Sequence, residues 1–248
     1  MGEGRRAPPE RPKRGAAPRR RTPPRRRLPP EERTRLILEA ALGEFAAHGY
    51  AGASMAGTAA RAGIAKGLIY HYFPGKAELF RAVIRSCVQP IFAEAERLAA
   101  GFQGPRAALL QALLEMAYGL AAADRRERIL FKLVLLEAER FPELAELYRT
   151  EVLARALALT GRLLRAGVES GEFRPEAGEE GMAAVLLAPA IMASVWRMMV
   201  GPEAAPAPAA MERAHIRLAL EGLLRRDAAR PGAAAPGRAM TAEGRPGA

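Results

Sequence analysis

The sequence predicts an all-α protein of about nine helices, on three observations. No segment alternates apolar and polar residues as a half-buried strand would. Apolar residues recur instead at helical spacing, as in Ile216, Ala219, Leu220, Leu223 and Leu224. Glycine and proline punctuate the chain at helix-length intervals, at Pro29-Pro30, Gly49, Gly63, Pro74-Gly75, Gly104-Pro105, Pro142, Gly171 and Pro202 to Pro208.

The first helix is expected over about Pro30 to His48. Proline suits its first turn, Glu31 and Glu32 suit its positive end, and Gly49 closes it. Leu36, Ile37, Ala40, Ala41 and Phe45 form an inner face that would pack on Ala59, Ile64 and Ile69, making one small three-helix core. The stretch Ser54 to Lys76, SMAGTAARAGIAKGLIYHYFPGK, then reads as helix, tight turn, helix and the start of another helix. Ser54 is a good N-cap, Ala59 and Ala62 let two helices cross closely, and Gly63 supplies the left-handed residue that ends the first of the pair. The second runs from about Ala65 to Phe73 and suits the major groove of DNA.

Lys76 opens a helix to about Ala100, long enough at ~1.5 Å per residue to join two domains as a rod. Further helices are expected from Gly104-Pro105 to Ala123, over Arg126 to Arg140, and from Phe141-Pro142 to Gly171. The uncharged run Gly181 to Trp196 contains Pro189 and is sixteen residues long. A membrane span needs about 20, so it reads as a buried helix partnered by Met211 to Arg226.

The residues Ala59, Ala62-Gly63-Ile64, Gly67, Tyr70, Tyr72-Phe73, Lys76 and Leu79 resemble the TetR family of bacterial repressors, most specifically over Arg33 to Phe80. Two positions depart from the family pattern. Thr58 stands where an aliphatic residue is usual, and Ala65 replaces the usual Ser or Thr cap of the reader helix, a loss worth about 1 kcal/mol. The resemblance implies a homodimer paired through its last two helices. It also implies a near-palindromic operator with half-sites about 34 Å apart, and a small-molecule effector held among the middle helices that releases DNA. The long helix from Lys76 would be the lever. The chain then divides into an Arg/Pro-rich tail at 1–29, a helix-turn-helix domain at 30–76, an effector-binding and dimerisation domain at 77–227 and a second tail at 228–248.

At the DNA surface, Lys66 can reach guanine edges or phosphate, Gly67 permits close backbone approach, and His71 can read bases. Leu68 is equally a thymine-methyl contact or core packing. Tyr70 and Tyr72 resemble the family's phosphate contacts, though Tyr72 has a core alternative. Ser54 and Lys76 would position the backbone. In the body Met116, Tyr118, Phe131, Leu135, Met192 and Trp196 either line a cavity or fill a core, with Met192 and Trp196 preferred. Glu137 either meets a cationic or hydroxylated effector or pairs with Arg140 on the surface.

The formal net charge is +11 over 248 residues, but residues 1–30 hold eleven Lys or Arg against Glu3 and Glu10, and 31–227 is neutral. The first tail has no apolar periodicity and cannot bury a core. It is either an arm that follows the phosphate backbone or enters a minor groove, or else a lineage-specific extension or a stretch ahead of the true translation start, and the chain's Arg, Ala, Gly and Pro bias suggests a high-GC bacterial genome. It also supports a rival reading, a non-specific binder of nucleic acid or anionic surfaces. An enzyme is the other rival. Gly52 to Ala56 nearly spells a hydrolase elbow, but it lacks the preceding strand, and no phosphate-cradling glycine loop or cofactor motif occurs. His48, His71 and His215 have no ligand spacing, so no metal is expected. With one cysteine, Cys87, no intramolecular disulfide can form and a cytoplasmic protein is expected.

Overall fold

The computed structural model describes residues 29–122 and 126–225; apart from Pro29, both expected tails lie outside the described residues. Among the described residues there are ten α-helices and no strand beyond an isolated bridge between Phe173 and Leu224. They are α1 (Pro30–Gly52), α2 (Met55–Arg61), α3 (Lys66–Tyr72), α4 (Lys76–Gly101), α5 (Arg106–Ala122), α6 (Arg126–Glu137), α7 (Pro142–Tyr148), α8 (Ala154–Glu169), α9 (Met182–Val200) and α10 (Pro208–Leu223). A π-helical turn, Arg149–Leu153, joins α7 to α8, so the two run as one rod and the described chain has nine rods.

The boundaries follow local chemistry. In α1 the regular helix breaks at Gly49, whose φ of 67° is left-handed, and one further turn follows to Gly52. Gly63 also takes a positive φ, 66°, and the Ile64 amide returns to the Ala59 carbonyl at 3.0 Å to close α2. The α6 helix stops three residues before the expected Arg140, and a turn leads to Phe141, whose φ of −127° and ψ of 83° lie outside the helical region ahead of Pro142. Proline at its first turn starts α10 at Pro208. Past its end, Leu224 turns extended and pairs with Phe173.

Ile37, Ala40, Ala41 and Phe45 form the inner face of α1 as expected, but Leu36 is 41% exposed and Leu42 and Glu44 are buried in its place. The core around Phe45, Ile69, Leu79 and Phe80 does not end with the first three helices. It continues through Val83, Ile84 and Cys87 of α4 into Leu130 and Leu133 of α6 and Leu144 and Leu147 of α7. A second core packs α5, α8, α9 and α10 around Leu109, Leu114, Leu164, Phe173 and Leu223. There the chain approaches itself closely, since a Cβ on Gly167 would lie 2.1 Å from Phe173 Cδ2. The Glu172 carboxylate accepts from the amides of Arg106 and Ala107 at 2.6 and 2.8 Å, capping α5.

Candidate nucleic-acid interface and body cavity

The reader pair is built from α2 and α3. Ser54 caps α2, its Oγ accepting from the Gly57 amide at 2.9 Å, which leaves the hydroxyl proton for an outside acceptor. Thr58 is buried and keeps its hydroxyl satisfied by donating to the Ser54 carbonyl at 3.0 Å, so the departure from an aliphatic residue is absorbed locally. Gly57 sets the distance between α1 and α2: a Cβ there would lie 1.9 Å from Glu44 Oε1. Glu44 is itself buried, 3.6 Å from Arg61 Nη2 and 3.8 Å from His48 Nε2.

On α3 the anchors are Ile69 and, just past its end, Phe73, both buried. Lys66, Gly67, Tyr70 and His71 are exposed, and Leu68 is half-buried. Tyr72 is half-buried against the core, with its ring 5.8 Å from that of His71. A Cβ on Gly67 would meet nothing within 4 Å, so the fold itself places no demand on that glycine. Ala65 occupies the cap position of α3 with no side-chain hydrogen bond.

The side chain of Lys76 is engaged within the protein. Its ammonium donates to the carbonyls of Tyr50 at 2.8 Å and Ala51 at 3.3 Å and lies 4.7 Å from the centre of the Tyr50 ring. The charge is engaged inside the protein, closing the end of α1, because the break at Gly49 aims those carbonyls at the start of α4. Tyr50 is buried among Phe45, Phe80 and Phe141. Burial and the nearby Glu143 carboxylate push its phenol up to about 12.

In the body, a cavity of about 260 Å³ lies between α4, α5, α6, the α7–α8 rod and α9. Its wall is mostly aliphatic and aromatic, with Val88, Phe92, Met116, Phe131, Val134, Leu187 and Ile191 prominent. Polarity comes from Tyr148, Thr160, Ser194 and, at one end, Arg128. Burial raises the Tyr148 phenol, keeping it a proton donor. The π turn brings Val152 and Leu153 onto this wall, a local irregularity typical of ligand sites.

Of the body residues expected from sequence, Met116 and Phe131 line the cavity. The others lie elsewhere, each for a visible reason. Tyr118 is buried against α10, its hydroxyl 3.3 Å from His215 Nδ1. Leu135 is 51% exposed on the far side of α6. Met192 and Trp196 face outward, whereas Leu187, Ala190, Ile191 and Ser194 of the same helix face the cavity. Glu137 does not pair with Arg140; it accepts from the Tyr50 and Ala51 amides. A second groove of about 460 Å³ runs past Ala46, Gly49, Lys132, Glu137, Arg197 and Met198, and Arg128 lines it as well as the apolar cavity. The missed hydroxyls had a sequence signal, as Thr160 and Ser194 are the lone hydroxyl residues of α8 and α9.

The α9 helix is 19 residues, longer than expected, and by length and composition alone it could cross a membrane. In the fold it is two-faced. At about 100° per residue, Val185, Met192, Trp196 and Met199 fall on one stripe, opposite the cavity-lining residues, and all four are exposed.

No curated protein matches the chain in sequence. Residues 37–83 match the family model described as bacterial regulatory proteins, tetR family. Residues 108–226 match the model described as the AefR-like transcriptional repressor, C-terminal domain. Among solved structures, SmeT in complex with triclosan superposes with a TM-score of 0.69 at 23% identity, over 84% of this chain and 100% of that one. The transcriptional regulator FadR of Bacillus subtilis, in complex with stearoyl-CoA, gives 0.60 at 20% identity, over 76% and 98%. The fatty acid degradation regulator FadR of Bacillus halodurans gives 0.62 at 23% identity, over 76% and 98%. The two family models, the helix-turn-helix built from α2 and α3, and the helical body behind it agree: the chain belongs to the TetR family of transcriptional regulators.

Proposed function

We propose that the protein is a homodimeric repressor of the cytoplasm that binds a near-palindromic operator and leaves it when a small apolar molecule occupies the body cavity. The observation that carries this reading is the double use of α4. Ile84, Val88 and Phe92 belong to the core shared with the reader helices and also line the cavity, so a ligand there acts directly on the support of α2 and α3. Binding then biases the population of two arrangements of the reader heads. The triclosan and stearoyl-CoA bound by the related structures support a hydrophobic ligand.

In this reading Lys66, Gly67, Tyr70 and His71 enter the major groove, with Leu68 at its edge and Ser54 and Tyr72 toward the phosphates. Operator contact by Lys76 is left to its backbone amide at the start of α4. The dimer forms through α9 and α10. Val185, Met192, Trp196, Met199 and, on α10, Leu218 expose an apolar surface of the kind a second copy covers. Residues 77–227 act as the effector-binding and dimerisation unit, and the Arg-rich tail adds electrostatic affinity.

The test is selection of sites from random duplex DNA by the full chain and by a version starting at Leu28. A single near-palindrome recovered by both supports the operator reader. Recovery by neither turns the reading to a non-specific, tail-driven binder. Once an operator is known, A190F, which fills the cavity, should still bind it and no longer respond to ligand.

A further inference from the structure

We propose that the cavity takes an uncharged, compact molecule with a hydrogen-bond-accepting oxygen, such as a ketone, and that the hydroxyls of Tyr148, Thr160 and Ser194 donate to that oxygen. The inference deepens the proposed function and rests on its reading of the cavity as a ligand site.

The wall is built against charge. Among the described residues it holds no acidic side chain that could meet a cation. Its one charged residue, Arg128, already has an interaction partner, so it is not a free counter-ion for an anion. The rest of the wall is mostly aliphatic and aromatic. An ion entering this space would shed its water without an opposite charge to replace it, which costs far more than burying a neutral polar group.

The hydroxyls supply the polar half of the argument. The described residues include eight Ser or Thr. Thr34, Thr58 and Thr150 donate to the carbonyl four residues back, Ser86 and Ser170 to the carbonyl three residues back, and Ser54 caps α2. Thr160 and Ser194 are the two that have no hydrogen bond among the described residues, and both line the cavity. Thr160 is only 6% exposed, so the cavity is where its hydroxyl can find a partner. The phenol of Tyr148 has no hydrogen-bond partner among the described residues either; its ring packs on Phe131, and burial keeps it protonated. Buried hydroxyl protons are rarely left without an acceptor. Three elements, α7, α8 and α9, thus offer protons to a space that otherwise suits hydrocarbon, and a carbonyl oxygen on an apolar frame satisfies both.

Isothermal titration of the full chain at neutral pH with four probes of nearly one shape tests this: acetophenone, α-methylstyrene, benzoate and benzamidinium, each below its solubility limit. Acetophenone should bind at least about tenfold tighter than either ion. In Y148F/T160V/S194A it should lose about five- to tenfold. The hydrocarbon α-methylstyrene, which carries a methylene in place of the ketone oxygen, should bind that variant as it binds the wild type, which also shows that the cavity is intact. T160S, which keeps the hydroxyl, should bind acetophenone like the wild type. Either ion binding as tightly as acetophenone, acetophenone undiminished in the triple variant, or both neutral probes weakened alike would overturn this inference while leaving the cavity a ligand site. Binding by none of the four would sink the reading of the cavity itself, and the inference with it.

Discussion

The carboxylate of Glu137 accepts a hydrogen bond from the backbone amide of Tyr50 at 2.8 Å, across 87 residues of sequence. Its other oxygen accepts from Ala51 at 3.0 Å, and Lys76 binds the carbonyls of the same two residues. One peptide turn is thus held from the body on its amide side and from α4 on its carbonyl side. Gly49 makes this possible twice over. Its φ of 67° suits glycine, and a Cβ would lie 2.6 Å from Glu137 Oε1.

Removing the carboxylate should loosen the joint. E137A leaves two amides without their acceptors, and a cost of about 1 kcal/mol is expected because the contact is only partly buried. Thermal melting should show a lowered midpoint, and the ratio of operator affinities with and without effector should shrink. An unchanged melting midpoint would mean that water replaces the carboxylate at no cost.

Two glycines should separate folding from DNA recognition. G57A drives a methyl into the buried Glu44 carboxylate and should cost about 1–3 kcal/mol, as overpacking does. G67A meets empty space and replaces glycine within a helix, so stability should rise by about 0.5–1 kcal/mol. Operator affinity should nonetheless fall for G67A. Denaturant melts beside operator titrations test the pair, and full operator affinity in G67A would remove Gly67 from the interface.

The exposed stripe of α9 predicts a concentration-dependent signal. Trp196 is the one tryptophan of the chain and is 38% exposed in the single subunit. If a second copy covers it, its emission should shift to the red on dilution through the dimer dissociation range. M199E should give the red-shifted emission at every concentration and sediment as a monomer. Constant emission with dimeric sedimentation would place the interface elsewhere.

His215 predicts a pH dependence. Burial lowers its pKa below the ordinary 6.5, because the charged ring is poorly solvated beside Tyr118. The unfolded chain therefore binds its proton more readily than the folded one. The contribution of neutral His215 is complete above about pH 6.5 and is lost as pH falls through the lower folded value. H215Q should flatten the loss of melting temperature from pH 7 to pH 5, and an unaltered slope would assign that loss to other groups.

The sequence by itself determined the helices and the reader motif, because both are written locally. Capping at Ser54, the left-handed turn at Gly63, proline at helix starts and the 3.6-residue period of apolar positions act within a few residues of one another. The same locality made Ile69 and Phe73 legible as anchors and left Lys66, Tyr70 and His71 for the outside. It failed where an apolar helix has more than one neighbour. Nothing in the run from Gly181 to Trp196 says which side meets a cavity, so Met192 and Trp196 were expected inward, where Ile191 and Ser194 lie. Likewise Glu137 reads as facing an effector or pairing with Arg140, and only the packing of α6 against the end of α1 turned it to the Tyr50 and Ala51 amides. Periodicity fixes which residues share a face; which face meets which partner is decided by tertiary contacts between residues far apart in the chain.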